Sequence, residues 1–319
     1  MEGLTLTVSD EERVAGRLRP EQHSRAALLL HTAGCLVLRN LLPPDVVART
    51  GTAFQRIFAD CVRSKQGDSW YQVSAQERAV FWERAARWRI FPKLRPPFDS
   101  EALLANPLIT PLLEELIGKD FFCKFVSSDS CIRGSMLQAP HRELSAAGAA
   151  EPCAYILNVP LTPCGLDNGP LEVWPTGTHL WQPAMLARYG LSDDMQDGAN
   201  PAMEAFARHF PSTRIVLEPG SVLIRDPGML HRGTPNQTDE PRTMLTICYL
   251  RSGHSHDYGD ARFNLDESLR DALPSAVRRL FAGADLRPAS ATEAVACSRR
   301  RRRWPWRPGL LHQARTDSK

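Results

Sequence analysis

Residues 218–250 read EPGSVLIRDPGMLHRGTPNQTDEPRTMLTICYL, and the rest of the chain is best read outward from this stretch. Pro219-Gly220 is a turn signal, Val222–Ile224 a short apolar strand, and Asp226-Pro227-Gly228 a break. A polar loop then carries His231, and Arg242 leads into a second apolar strand, Met244–Leu250. Short apolar runs separated by Gly, Pro, Asn and Asp are the punctuation of an antiparallel sheet. The same texture recurs at Phe121–Val126, Ala154–Pro160, Leu171–Trp174 and Ile215–Leu217. The spacing predicts an antiparallel sandwich or barrel, the jelly roll included, with its core over about 119–252. Asn168-Gly169 fits a tight turn inside it.

Upstream the pattern is different. From Pro20 to Thr32 apolar residues recur at helical spacing, Gly34 punctuates, and Cys35–Leu38 suits a strand. Pro43 and Pro44 stand where a first helical turn tolerates proline, and Val46–Val62 continues amphipathically. Asn106–Gly118 reads as a helix closed by its glycine. The first third is therefore expected to be mainly helical, with Trp70, Trp82 and Trp88 as packing residues. Residues 180–213 form a polar, partly helical insert. One domain over 1–285 is expected, followed by a basic, disordered tail over 286–319 that contains the run Arg299–Arg303.

The charge is divided to match. Residues 299–319 hold eight Lys/Arg against Asp317, so the tail is +7, leaving −4 for residues 1–298 within the total of +3. A basic surface made for nucleic acid is not indicated, and a small-molecule partner is expected instead. No apolar run approaches the roughly 18 residues of a membrane span, and Met1–Asp10 lacks the features of a secretory signal, so a cytoplasmic location is expected. The eight cysteines are scattered without a Cys-x-x-Cys pair and read as buried thiols. Nothing in the sequence fixes an oligomeric state.

His141-Arg142-Glu143 is the first candidate for chemistry. In a strand, residues i and i+2 share a face, so His141 and Glu143 can offer an imidazole and a carboxylate to one ion. Nine histidines and 36 acidic residues in 319 make about one such triplet by chance, and one occurs, so the pattern takes its meaning from its surroundings. His231 adds a second imidazole, and two histidines with one carboxylate leave positions open for O2 and a chelating co-substrate. If His231 and Arg242 lie on adjacent strands, the Arg242 guanidinium faces the same cavity, and its fork matches a carboxylate. Asn158 and Gln138 are candidates to hydrogen-bond the co-substrate. Asp226 is placed to support His231, His179 to lie near the site, and His254 with His256 to be a solvated pair.

GCLVLRNLLPP, NPLITPLLEELIG, QAPHRE, DNGPLEVWPTGTH and PGSVLIRDPGMLHRGTPNQTDEPR together resemble the phytanoyl-CoA dioxygenase family of iron(II)/2-oxoglutarate oxygenases, over roughly Ala33–Leu250. The resemblance implies a double-stranded β-helix (jelly roll, cupin-like) core. It implies His141, Glu143 and His231 as ligands of Fe(II), and Arg242 as the residue that binds 2-oxoglutarate. O2 is the oxidant, ascorbate the reductant in vitro, and hydroxylation of a small-molecule C–H bond the default reaction, with desaturation or cyclisation open to the same chemistry. One departure stands out: the family carries Asp where this chain has Glu143, although oxygenases of the clavaminate synthase type resemble it in using His-x-Glu. The alternative is a non-catalytic jelly-roll binding protein whose metal site is structural or vestigial.

Overall fold

The structure is a computed structural model and describes residues 2–67, 71–143, 151–190, 201–253, 261–284 and 286. Its strands are β1 (Thr5–Thr7), β2 (Cys35–Arg39), β3 (Gln72–Val73), β4 (Val80–Arg84), β5 (Arg87–Phe91), β6 (Phe122–Cys131), β7 (Ala154–Pro160), β8 (Leu171–Val173), β9 (Thr213–Ile215), β10 (Val222–Arg225), β11 (His231–Gly233) and β12 (Arg242–Leu250). A nine-stranded sheet has the order β1-β2-β10-β7-β12-β6-β5-β4-β3, and a smaller sheet the order β11-β8-β9. This is a double-stranded β-helix, as expected.

The large sheet is buried on both faces. On β12, Leu245, Ile247 and Tyr249 point outward into a core shared with Leu30 of the helix Pro20–Ala33, Phe54 and Ile57 of Pro44–Ser64, and Leu112 of Thr110–Ile117. Met244 points inward and packs with Leu223 of β10 and Val37 of β2 against Leu171, Val173 and Ile215 of the small sheet. Because all nine residues of β12 are buried, the strand reads as an unbroken apolar run with no alternation to betray its two faces.

The first third is less helical than its sequence pattern suggests. It contributes five strands, three of them in the segment 72–91 that adds a meander to the sheet edge. Arg84 pairs with Arg87 across the two-residue turn Ala85-Ala86, and both alanines have positive φ, 51° and 60°. Positive φ at both central residues is the type I′ hairpin, whose usual sequence is Asn-Gly, so the turn carries no sequence signal here. Glu83 Oε1 accepts the Ala86 N–H at 2.7 Å, and the Ala86 carbonyl accepts Ile132 N–H, which holds the turn in a conformation alanine disfavours.

β5 pairs with β6 only at Arg87 and Trp88, after which the two strands diverge. Side chains fill the gap. Ser128 Oγ accepts the Ile90 N–H, and the buried Asn264 carboxamide takes both the N–H and the carbonyl of Val126 as well as the Pro92 carbonyl. The divergence leaves Arg89 and Phe91 over the inner face beside Phe125. Two further expectations change. His141 and Glu143 lie in an extended segment tied by a single β-bridge, not in a regular strand. His231 and Arg242 begin strands of opposite sheets, so they do not stand side by side on adjacent strands. Among the described residues no helix is long and apolar enough to cross a membrane. Trp70, His254, His256 and the run Arg299–Arg303 lie outside the described residues.

The strained turn makes a stability prediction. A left-handed alanine costs roughly 1–2 kcal/mol, so replacing Ala85→Asn with Ala86→Gly should raise the stability of the protein by about 1–2 kcal/mol, read as a shift of the urea midpoint at constant slope. A lower midpoint would show that the two methyl groups contribute packing that outweighs the strain.

Candidate metal centre

The chain leaves β10 at Arg225 and crosses to the small sheet through the turn Asp226–Met229, closed by Met229 N–H to the Asp226 carbonyl at 3.0 Å. The Asp226 carboxylate accepts Gly228 N–H at 2.6 Å, which tightens the turn; it does not reach His231, so the support expected from it there is absent. The segment 138–143 then runs antiparallel beside 227–233. His141 and His231 exchange both backbone hydrogen bonds, at 2.9 and 3.0 Å, flanked by Gln138 N–H to the Gly233 carbonyl and Glu143 N–H to the Pro227 carbonyl. Arg142, between the two candidate ligands, points the other way and donates to the carbonyls of Gly228, His179 and Trp181. His141 and Glu143 therefore share a face because their neighbour is anchored to the opposite one.

Each imidazole is oriented by the carbonyl two residues before it. His141 Nδ1 lies 2.9 Å from the Ala139 carbonyl and His231 Nδ1 2.8 Å from that of Met229. A carbonyl only accepts, so both Nδ1 atoms carry the proton and both Nε2 lone pairs are left to point inward. The ring centroids are 4.4 Å apart, His231 Nε2 is 3.3 Å from Glu143 Oε1, and the three candidate donor atoms lie within 4.8 Å of one another. His231 is buried, whereas the Glu143 side chain is 39% exposed and can adjust to an ion.

Protonation states suit a metal. Burial lowers His231 to about 4, reinforced by the charges of Arg225 and His141 against the opposing pull of Glu143. Burial pushes the Glu143 carboxyl up, but a proton on His231, through its hydrogen bond and charge, the charge of Arg225 and a proton on His141 outweigh it and hold it well below the usual range, so that Glu143 stays ionised after His231 has become neutral. A neutral imidazole and an ionised carboxylate are the forms that ligate.

Arg225 is the group that sequence reasoning passed over. It ends an apolar strand just before a turn, where an arginine ordinarily turns to water, yet it is buried on the inner face. Its Nη2 lies 3.4 Å from Glu143 Oε1, its Nε 3.3 Å from Asn158 Oδ1, and its Nη1 is buried with no partner among the described residues. Asn158 in turn donates to Thr246 Oγ1 at 3.2 Å, so a polar chain runs across β10, β7 and β12 at the level of the site. Arg242 is 1% exposed at the start of β12 and lies inside the sandwich; its Nη1 donates to the Asp129 carbonyl at 2.6 Å and sits 3.3 Å from the Asp129 carboxylate, and its Nε donates to the Gly169 carbonyl. The Gln138 side-chain oxygen accepts the Gly233 N–H at 2.7 Å, which ties it to β11. His179 is held by the His31 carbonyl and is not among the converging donors.

Residues 30–244 match the model of the phytanoyl-CoA dioxygenase (PhyH) family. Among solved structures the chain is similar to the epimerase SnoN of nogalamycin biosynthesis in complex with Fe3+, alpha ketoglutarate and nogalamycin RO, at a TM-score of 0.55 and 18% identity over 86% of this chain and 98% of that one. It is also similar to the non-heme alpha ketoglutarate dependent carbocyclase SnoK from the same biosynthesis (TM-score 0.51, 16% identity, 74% of this chain and 85% of that one). AviO1 from Streptomyces viridochromogenes Tue57 gives a TM-score of 0.53 at 19% identity over 73% and 97%. At this level of identity the likenesses show the shared fold. The family match extends over two thirds of the sequence and spans all three converging side chains, so the chain belongs to the phytanoyl-CoA dioxygenase family of Fe(II)- and 2-oxoglutarate-dependent enzymes.

Proposed function

We propose that the protein is a 2-oxoglutarate-dependent dioxygenase that hydroxylates an unactivated C–H bond of a small molecule, with Fe(II) held by His141, Glu143 and His231. The observation that carries this reading is the pair of imidazoles whose Nδ1 protons are committed to backbone carbonyls, so that both Nε2 atoms converge with one carboxylate. Two imidazole nitrogens and one carboxylate oxygen are a donor set that would hold a ferrous ion able to take up 2-oxoglutarate and O2. With both bound, the centre supplies an oxidant strong enough to take hydrogen from carbon.

The chain's own residues do the rest. Arg242 binds the distal carboxylate of 2-oxoglutarate through Nη2, which has no partner among the described residues, while Asp129 and the Gly169 carbonyl fix the guanidinium plane. Asn158 and Thr246 line the path between Arg242 and the metal on the inner face of the sheet. The apolar packing of Leu223, Met244 and Met229 beneath them keeps water from the reacting centre.

Three outcomes test this. His141→Ala or His231→Ala should abolish iron binding and succinate formation without loss of fold, because the bridge between the two segments is made by the backbone; full iron-dependent activity in either variant overturns the assignment. Arg242→Ala should raise the apparent KM for 2-oxoglutarate by a factor of roughly 150 to 5000, corresponding to roughly 3–5 kcal/mol for a buried charge stripped of its partner. An unchanged constant would mean that another residue holds that carboxylate. Glu143→Asp should lower turnover even though it restores the family's residue, since the shorter arm withdraws the carboxylate from His231 and Arg225 together, and a displacement of about 1 Å can cost about a hundredfold in rate. Succinate formation at saturating Fe(II) measures it, with Glu143→Ala as reference; equal activity of Glu143 and Ala forms would remove Glu143 from the ligand set.

A further inference from the structure

The inner face of the large sheet carries one row of side chains at the level of the metal centre. Register places Arg225 of β10 opposite Ile156 of β7, Ile156 opposite Cys248 of β12, and Cys248 opposite Phe125 of β6. Three strand spacings, about 14 Å, separate the ends of this row. Glu143 reaches over it from the Arg225 end. Arg89 reaches over it from the other, where β5 and β6 diverge; its guanidinium carbon stands 4.5 Å from the centre of the Phe125 ring and 5.5 Å from that of Phe91. Phe263 packs edge-on against Phe91 and closes the wall. The floor between the two ends is apolar, made by Ile156 and Cys248.

Charge along this row is one-sided. Among the described residues, Arg225 at one end of the row is met by Glu143, while Cys248 between the ends lies within electrostatic range of both Arg89 and Arg225. Arg89 forms no ion pair or hydrogen bond among the described residues; its only contacts of note are the two aromatic faces, and its Nε is buried without a partner. A guanidinium desolvated on two rings and given no carboxylate of its own is built to receive an anion from outside. Bound Fe(II) and dianionic 2-oxoglutarate cancel, so they do not relieve the excess.

We infer that the substrate is an organic anion with an apolar or aromatic body, its carboxylate or phosphate held by Arg89 and its body lying on Ile156, Cys248 and Phe125. The reacting carbon then lies roughly two strand spacings, ~10 Å, from the anionic group. This deepens the proposed function and takes from it only the position of the reacting carbon.

The test is calorimetric binding to the full-length protein with Fe(II) and 2-oxoglutarate in the absence of O2. The probes are 4-phenylbutanoate, its primary amide, and 4-phenylbutyl phosphate. The acid or the phosphate should bind at least about tenfold more tightly than the amide, and the tighter of the two identifies the anion. Arg89→Gln should bring all three to within about twofold, while Arg89→Lys keeps the preference; matching thermal midpoints establish that both variants are folded. Equal binding of acid and amide, a preference that survives Arg89→Gln, or no binding of either anion in the millimolar range overturns the inference. Because no turnover is read, such a failure leaves the iron-content and succinate measurements standing. Loss of those with the charge preference intact would instead sink the dioxygenase reading and retain the anion site.

Discussion

Two backbone hydrogen bonds between His141 and His231 organise everything else in the site. They belong to a single β-bridge, yet they join two segments ninety residues apart in sequence and set the imidazoles on one face, with the rings 4.4 Å apart. A slip of one residue in this pairing would turn His141 and Glu143 away and bring Arg142 inward. The register is protected on both sides. Glu143 N–H binds the Pro227 carbonyl at one end, and at the other Gln138 closes on Gly233, where a Cβ would stand 2.6 Å from both Arg87 Nη1 and Gln138 Oε1 and displace these side-chain ends. Arg87 completes the clamp by donating to the carbonyls of Met136 and Thr234, one on each segment.

Burying this many charges is unfavourable unless each is paired or hydrogen-bonded. Arg242 and Asp129 pair with each other, and Asp129 is held below the usual carboxylate range because Arg242 and Arg87 outweigh the effect of its burial. Arg87 donates through Nη2 to two backbone carbonyls, and its Nε is buried without a partner among the described residues. Arg225 differs, since its pairing with Glu143 is long and one of its terminal nitrogens has no partner among the described residues. Among the described residues, Arg225 and Arg89 both carry a buried nitrogen without a partner beside the inner face of the large sheet, and such a site is where a fold can depart from the local optimum of stability.

What the sequence disclosed follows the same physics. The strands buried on both faces, β7 and β12, were legible as continuous apolar runs, and the family motifs located His231 and Arg242. The β4–β5 hairpin was not legible. It places the charged residues Arg87 and Arg89 on the inner face, and its turn is Ala-Ala in place of the glycine or asparagine that announces positive φ. The triplet His141-Arg142-Glu143 occurs at the frequency expected by chance, so residue types alone could not distinguish it. What makes it a site is a contact with His231 that only the tertiary fold supplies. Arg225 was hidden for the opposite reason, because one charge at the end of an apolar strand is ordinary in sequence and unusual only once its burial is known.

The unusual Glu143 and the unusual Arg225 explain one another. Arg225 rises from the floor of the large sheet, while His141, His231 and the segment bearing residue 143 belong to the opposite wall. A carboxylate that joins the histidines and also meets Arg225 has to span part of that gap. Glu143 does so, with a single oxygen 3.3 Å from His231 Nε2 and 3.4 Å from Arg225 Nη2. An aspartate on the same backbone ends one methylene short, and Arg225 would then be left buried with two unmet terminal nitrogens rather than one, at a cost of several kcal/mol. The longer acid is thus tied to the presence of the arginine, and the arginine is tied through Asn158 of β7 to Thr246 of β12. The departure from the family's aspartate is not a relaxed constraint at a ligand position. It is one half of a pair whose other half sits on the facing sheet, and the two sides of the sandwich meet at that oxygen.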